Sequence, residues 1–158
     1  MKGDKTVLKH LNTLLRGELT AVNQYFLHSR MLEDWGVTKL AKHEYKESIE
    51  EMHHADSLIK RILLLEGLPN LQELNKLYIG QDVKEVLEGD LKLETEGSAN
   101  YRKAIKDCEA VGDYGTRDLL TKILADEEGH HDHLQTQLAL IAQIGLEKYI
   151  LLQSEAEE

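Results

Sequence analysis

The chain has one cysteine, Cys108, one proline, Pro69, and few aromatics, 5% of its residues. A lone cysteine excludes an intramolecular disulfide and suits a reducing compartment. A single proline leaves long stretches without a helix breaker, since proline costs about 3 kcal/mol in a helix interior. No apolar run approaches the ~20 residues that span a bilayer, and none near Met1 has the form of a signal peptide. The expected location is the cytoplasm. Positive charge is also short. Against 29 Asp and Glu there are 19 Lys and Arg, a net charge of −10. That argues against polyanionic partners and leaves solubility or cation attraction as the meaning of the acidity.

What is present is helical periodicity. At 158 residues and 41% hydrophobic content, one domain, 1–158, with a substantial core is expected. Val7, Leu8, Leu11, Leu14, Leu15, Ala21, Val22 and Tyr25 form one apolar stripe, which predicts a helix over about 4–34, starting at the Asp4 cap. Further helices are expected over 38–66, ending at Gly67, over 83–111, stopped by Gly112, and over 113–144, stopped by Gly145. A short fifth helix fits 146–153, and the tail from Ser154 should fray. Residues 68–80 hold the proline and have no clean period. They are long for a helix–helix turn, so they read as a crossover along a four-helix bundle.

The two halves repeat at an offset of 76 residues: Val7/Val83, Leu11/Leu87, Glu18/Glu94, Tyr25/Tyr101, Gly36/Gly112, Glu51/Glu127, His54/His130 and Leu58/Leu134. Shared leucines alone would mean little. Shared glycine stops, tyrosines and Glu/His positions mark two copies of one αα-hairpin related by an approximate two-fold axis.

Glu-x-x-His is a weak signal alone, but it occurs at Glu50/His53, Glu51/His54, Glu127/His130 and Glu128/His131. The helical face chooses between the overlapping pairs. Glu51 shares its stripe with Leu58, Ile62 and Leu65, and Glu127 with Leu120, Ile123, Leu134 and Ile141. Glu18 and Glu94 also lie on apolar stripes. Four carboxylates and two imidazoles thus converge on a core in which no Lys or Arg is placed to pair them. Four unpaired buried carboxylates would be very costly, and two divalent cations would balance them. One Glu from each of two helices plus a Glu-x-x-His from each of the others is the dinuclear carboxylate pattern. Glu51 and Glu127 would bridge. Glu18 with His54, and Glu94 with His130, would be terminal. The donor set suits Fe, Mn or Zn.

The stretches Met1-Lys-Gly-Asp4, Asn23-Gln-Tyr-Phe-Leu-His-Ser-Arg-Met31, Glu47-Ser-Ile-Glu-Glu-Met-His-His-Ala-Asp56, Arg61-Ile-Leu-Leu-Leu-Glu-Gly-Leu-Pro-Asn-Leu-Gln72 and Asp126-Glu-Glu-Gly-His130 resemble bacterioferritin over essentially the whole chain. The resemblance implies a ferritin-like four-helix bundle with one long crossover and a short C-terminal helix. It implies a hollow shell of about twenty-four subunits. The six ligands would form a di-iron ferroxidase centre that oxidises Fe²⁺ with O₂ or H₂O₂, with ferric mineral stored inside. It also implies haem b at a two-fold interface, its iron held by Met52 from each of two subunits, and a small [2Fe–2S] ferredoxin as electron donor for iron release. Tyr25 would donate an electron or a hydrogen bond to the centre, with Tyr101 placed similarly by the repeat.

The chain departs from the family in places. Lys46 and Glu50 stand where some members carry a His and an Asp on the cavity side; a protonated lysine is a poor ligand, which weakens the case for an accessory iron site there. His131 and His133 extend a local cluster, read first as surface or interface polarity and second as an accessory metal contact. Two other functions share the ligand set: a di-iron oxidase or peroxidase that stores nothing, and a haem-binding partner subunit of a mixed shell.

Overall fold

The computed structural model describes residues 1–154; the expected fraying beyond Ser154 lies outside them. Among these residues the chain forms α1 (Lys5–Asp34), α2 (Thr38–Leu64), α3 (Val83–Ala110), α4 (Tyr114–Ile144) and α5 (Leu146–Gln153), with no strand. α1 spans 30 residues, about 45 Å at ~1.5 Å per residue. α1 pairs with α2 and α3 with α4 as two hairpins, and α1 also packs along α3. No helix is long and apolar enough to cross a membrane among these residues.

Side-chain caps set the helix starts. Asp4 accepts from Thr6 N at 2.8 Å, Asp82 from Glu85 N at 2.9 Å and Asp113 from Thr116 N at 3.0 Å, satisfying amides that have no partner within the helix. The helix ends repeat. Gly36 and Gly112 hold φ of 82° and 75°. In each, the next amide reaches back to the last turn, Val37 N to Leu32 O at 2.8 Å and Asp113 N to Cys108 O at 2.9 Å. Positive φ without strain is what glycine supplies there.

α2 differs from expectation. It ends at Leu64, not 66, and the left-handed residue is Glu66 at φ 62°. The Glu66 amide bonds Leu63 O at 3.0 Å and the Gly67 amide bonds Ile62 O at 2.9 Å, so the closing turn sits one residue earlier than a glycine stop would put it. A Cβ at Gly67 would stand 2.6 Å from Leu8 Cδ2 and 3.0 Å from Ile62 Cγ2, so a side chain there would have to push both aside.

The crossover between α2 and α3 is irregular, and its amides are met by polar side chains along α1. Asn12 Oδ1 accepts from Asn70 N at 2.9 Å, Thr20 Oγ1 from Asn75 N at 2.9 Å, Gln24 Oε1 from Tyr78 N at 2.9 Å and His28 Nε2 from Gly80 N at 3.0 Å. Buried backbone donors need such partners.

Two apolar plugs fill the bundle. One gathers Val7, Leu11, Leu15, Leu58, Ile62, Ala104, Leu120 and Ile123. The other gathers Leu32, Val37, Leu40, Val86, Leu87, Leu134, Ile141 and, from α5, Tyr149. Between them lies a layer of acids and histidines.

Candidate metal centre

Each hairpin contributes half of this layer. Glu18 comes from α1, Glu51 and His54 from α2, Glu94 from α3, and Glu127 and His130 from α4. All six are buried, none more than 8% exposed. Their neighbours in the overlapping pairs lie outside it: His53 and Glu128 are exposed, His131 is half-buried, and Glu50 is half-buried at the edge of the layer, its carboxylate near His130.

Ligand atoms of Glu18, Glu51, His54 and Glu127 lie within 4.8 Å of one another, and so do those of Glu51, Glu94, Glu127 and His130. The two quartets share Glu51 and Glu127. His54 Nδ1 stands 3.0 Å from Glu127 Oε1 and 3.6 Å from Glu18 Oε2. His130 Nδ1 stands 2.9 Å from Glu51 Oε1 and 3.6 Å from Glu94 Oε1. Even so, Glu18 Oε2, Glu51 Oε1 and His130 Nδ1 are buried with no hydrogen bond in line. Such atoms aimed at a shared space are costly unless a cation takes them up. The set of four carboxylates and two imidazoles, without thiolate, fits two hard or borderline divalent ions.

The electrostatics carry the same strain. Burial, then the charge of Glu51, pushes the Glu18 carboxyl up to about 8. Burial alone would lower both histidines, but the surrounding carboxylates overcome it and raise both well above the ordinary imidazole range. The metal-free centre therefore holds protons where ions would otherwise balance its charge.

Outer partners orient the ligands. Tyr25 donates to Glu94 Oε1 at 2.6 Å and Tyr101 to Glu18 Oε1 at 2.5 Å. His54 Nε2 lies 2.9 Å from Asp126 Oδ2. His130 Nε2 lies 2.8 Å from Glu47 Oε2 and 3.2 Å from Glu50 Oε2, charge neighbours that are not in line for a hydrogen bond. A carboxylate behind a ligating imidazole fixes its tautomer and ring plane. Met52 points away from the centre and is 52% exposed. His133 does not sit free on the surface: its ring lies 4.1 Å from that of His43.

Sequence reasoning missed Asp126, Glu47 and a buried trio, His28, Glu44 and Asp90. The helical-face test would have found the trio, because Glu44 lies seven residues before Glu51 and Asp90 four before Glu94.

Comparison with known proteins places the chain in a family. Residues 8–144 match the ferritin-like domain family. The chain is 57% identical over 149 residues to a bacterioferritin of Brucella melitensis, covering 94% of this chain and 92% of that protein. It is 49% identical over 152 residues to one from Rhodobacter capsulatus, at 96% and 94% coverage. To one from Mycobacterium leprae it is 50% identical over 149 residues, with 94% of each covered.

Proposed function

The chain belongs to the bacterioferritins, iron-storage proteins of the ferritin-like family, and from that premise we propose that it oxidises Fe²⁺ at its buried carboxylate–histidine centre and stores the ferric product inside an oligomeric shell. The observation that carries this reading is the pair of four-residue ligand sets sharing Glu51 and Glu127. Shared carboxylates hold two ions about 3.5–4 Å apart, close enough for both to give an electron to one oxidant.

Glu51 and Glu127 bridge the two iron ions. Glu18 and His54 complete one site, Glu94 and His130 the other. Fe²⁺ is the substrate. Two Fe²⁺ supply two electrons, and O₂ with two protons becomes H₂O₂, or H₂O₂ with two protons becomes two waters. Tyr25 and Tyr101 hold the terminal carboxylates, and Asp126 and Glu47 hold the imidazoles. The apolar plugs close the centre at its two ends, and a side pocket of about 60 Å³ lined by Glu18, Glu94, Glu96 and Asn100 opens it to the surface.

The shell is a homo-oligomer of about twenty-four subunits, as in the family the sequence resembles. Exposed Phe26, Leu27, Tyr45 and Met52 on α1 and α2 suit an interface between copies, and a thioether such as Met52 can serve as an axial haem ligand. Haem b bridging two copies through Met52, reduced by a [2Fe–2S] ferredoxin, would provide the electrons for iron release.

Stopped-flow Fe²⁺ oxidation by the purified assembly tests the reading, with the iron-to-oxidant ratio measured per subunit. Rapid oxidation of two Fe²⁺ per subunit, followed by retention of many more in a large particle, is expected. Oxidation in a particle that never exceeds a dimer would favour a di-iron oxidase without storage.

A further inference from the structure

Glu44 on α2 and Asp90 on α3 form a buried acid pair beside the metal centre. Glu44 is 1% exposed and Asp90 fully buried. Asp90 Oδ1 accepts from Gln24 Nε2 at 2.9 Å and from His28 Nδ1 at 2.8 Å. Asp90 Oδ2 and both oxygens of Glu44 have no donor. His28 is fixed as the Nδ1–H tautomer, because its Nε2 accepts from Gly80 N–H. Both imidazole nitrogens are thus committed. That leaves only the two carboxylates for a metal ion, too few for a site of the kind next door. Two facing buried carboxylates with no donor between them are relieved by one shared proton.

The internal repeat makes the pair conspicuous. The counterparts of Asp90, Glu44 and His28 at the 76-residue offset are Leu14, Leu120 and Ala104, all buried and apolar. The fold therefore accepts hydrocarbon at these positions in one half and places an acid pair in the other. Burying polar groups costs stability that the apolar half does not spend.

A cavity of about 10 Å³ joins this pair to its surroundings. That is roughly one water in size. Glu44, Tyr25, His43, Glu47, His130 and His133 line it. It thus touches Glu44 of the acid pair, the edge of the metal centre at His130, and the half-buried rings of His43 and His133, which lie 4.1 Å apart.

We propose that Glu44 and Asp90 hold one proton between them and deliver it through this cavity to the oxidant reduced at the metal centre, with His43 and His133 returning a proton from solvent. The inference rests on the ferroxidase reading. In the step, the Glu44 O–H bond breaks and its electron pair stays on the carboxylate. The proton goes to the reduced oxygen of O₂ or H₂O₂, whose two electrons come from two Fe²⁺. Glu44 and Asp90 are then both ionised, an unstable arrangement in a buried site, so a solvent proton refills the pair. The same route supplies the second proton of each two-electron reduction.

The groups facing Glu44 agree with a proton resting there. Asp90 and Glu94 face it from α3, His28 and Tyr25 from α1, Glu47 from its own helix, His130 and His133 from α4 and Tyr149 from α5. Burial, then the charge of Asp90, raises the Glu44 carboxyl well above the carboxylate range. Burial lowers His43 and His133, leaving neutral imidazoles, each with one nitrogen to accept a proton and one to pass it on.

Infrared spectra and Fe²⁺ oxidation in H₂O and D₂O test this on the whole assembly. With Co²⁺ in the centre, which displaces the protons of its ligands, the protein should still show a protonated-carboxyl C=O band, and that band should disappear in Glu44→Gln. That variant should bind Co²⁺ with wild-type stoichiometry, yet oxidise Fe²⁺ on the order of 10²-fold more slowly, with a larger solvent isotope effect. The paired change His43→Ala with His133→Ala should slow oxidation, and added imidazole should restore it; this variant decides if Glu44→Gln does not fold. A wild-type rate and isotope effect in either variant overturns the proposal, as does a Co²⁺ ion held by Glu44 and lost in Glu44→Gln. If the wild-type assembly oxidises no Fe²⁺, the ferroxidase reading fails instead, and the infrared band still reports whether the pair holds its proton.

Discussion

Tyr25 and Tyr101 exchange roles across the repeat: Tyr25 on α1 donates to Glu94 on α3, and Tyr101 on α3 donates to Glu18 on α1. Each hairpin thus steadies the terminal carboxylate of the other. Tyr25→Phe and Tyr101→Phe should each weaken binding of one ion by about tenfold, the usual cost of losing an outer-shell hydrogen bond. A Co²⁺ titration with two resolved sites checks this. Equal weakening of both sites by either variant would contradict the crossed arrangement.

Glu18→Ala removes a terminal ligand and leaves the shared carboxylates. One ion should be lost, and Fe²⁺ oxidation should fall by about 10²-fold or more, because two electrons no longer reach one oxidant together. Stopped-flow absorbance measures it. A wild-type rate would mean that oxidation happens elsewhere in the particle.

Met52→Leu should abolish haem binding while oxidation continues at the wild-type rate, because the side chain is exposed on the far side of α2 from the centre. The haem Soret band and the oxidation trace report the two effects separately. Full haem retention would remove Met52 as the ligand.

The protons held by the metal-free centre make its stability fall as pH rises. A carboxyl raised to about 8, as Glu18 is, keeps its proton in the folded protein above pH 4.5, where the unfolded chain has released it. The raised His54 and His130 add the same sign above pH 6.5. The centre binds more protons folded than unfolded across pH 5 to 8, so its contribution to stability falls as pH rises through that range. Metal binding expels these protons and should stabilise most at the alkaline end. Thermal melts of metal-free and Co²⁺-loaded protein over that range check the sign, and Glu18→Gln should flatten the metal-free curve.

Glu66 carries a left-handed backbone that glycine adopts without strain. Glu66→Gly should raise stability by about 1 kcal/mol, since the exposed contact of Glu66 with the N-terminus is worth little. Gly67→Ala should lower it by driving a Cβ against Leu8. Chemical denaturation of both variants separates strain from crowding.

Most of the bundle was legible because period and punctuation agreed along the chain: apolar stripes, aspartate caps at 4 and 113, and glycine stops at 36, 112 and 145. The six central residues were legible because a charged side chain on an apolar stripe must end in the core. The end of α2 was not, because a Gly at 67 invites a stop there while the left-handed residue that closes the helix is Glu66. Glu44, Asp90 and His28 sat on the same stripes but lacked a repeating Glu-x-x-His to draw notice. Asp126 and Glu47 are partly exposed, so no stripe marks them; their role depends on where the imidazoles turn.

The crossed phenols bear on ancestry. Each hairpin brings a terminal acid, a bridging acid, an imidazole and a hydroxyl that serves the opposite hairpin, so one hairpin alone is half a site whose missing half is itself. Two separate copies of a half-length chain could have enclosed the same ions before a duplication joined them. Fusion then freed one half from the requirement of identity. An acid pair at Glu44 and Asp90, opposite the leucines at 14 and 120, is a change that only a joined chain can make on one side.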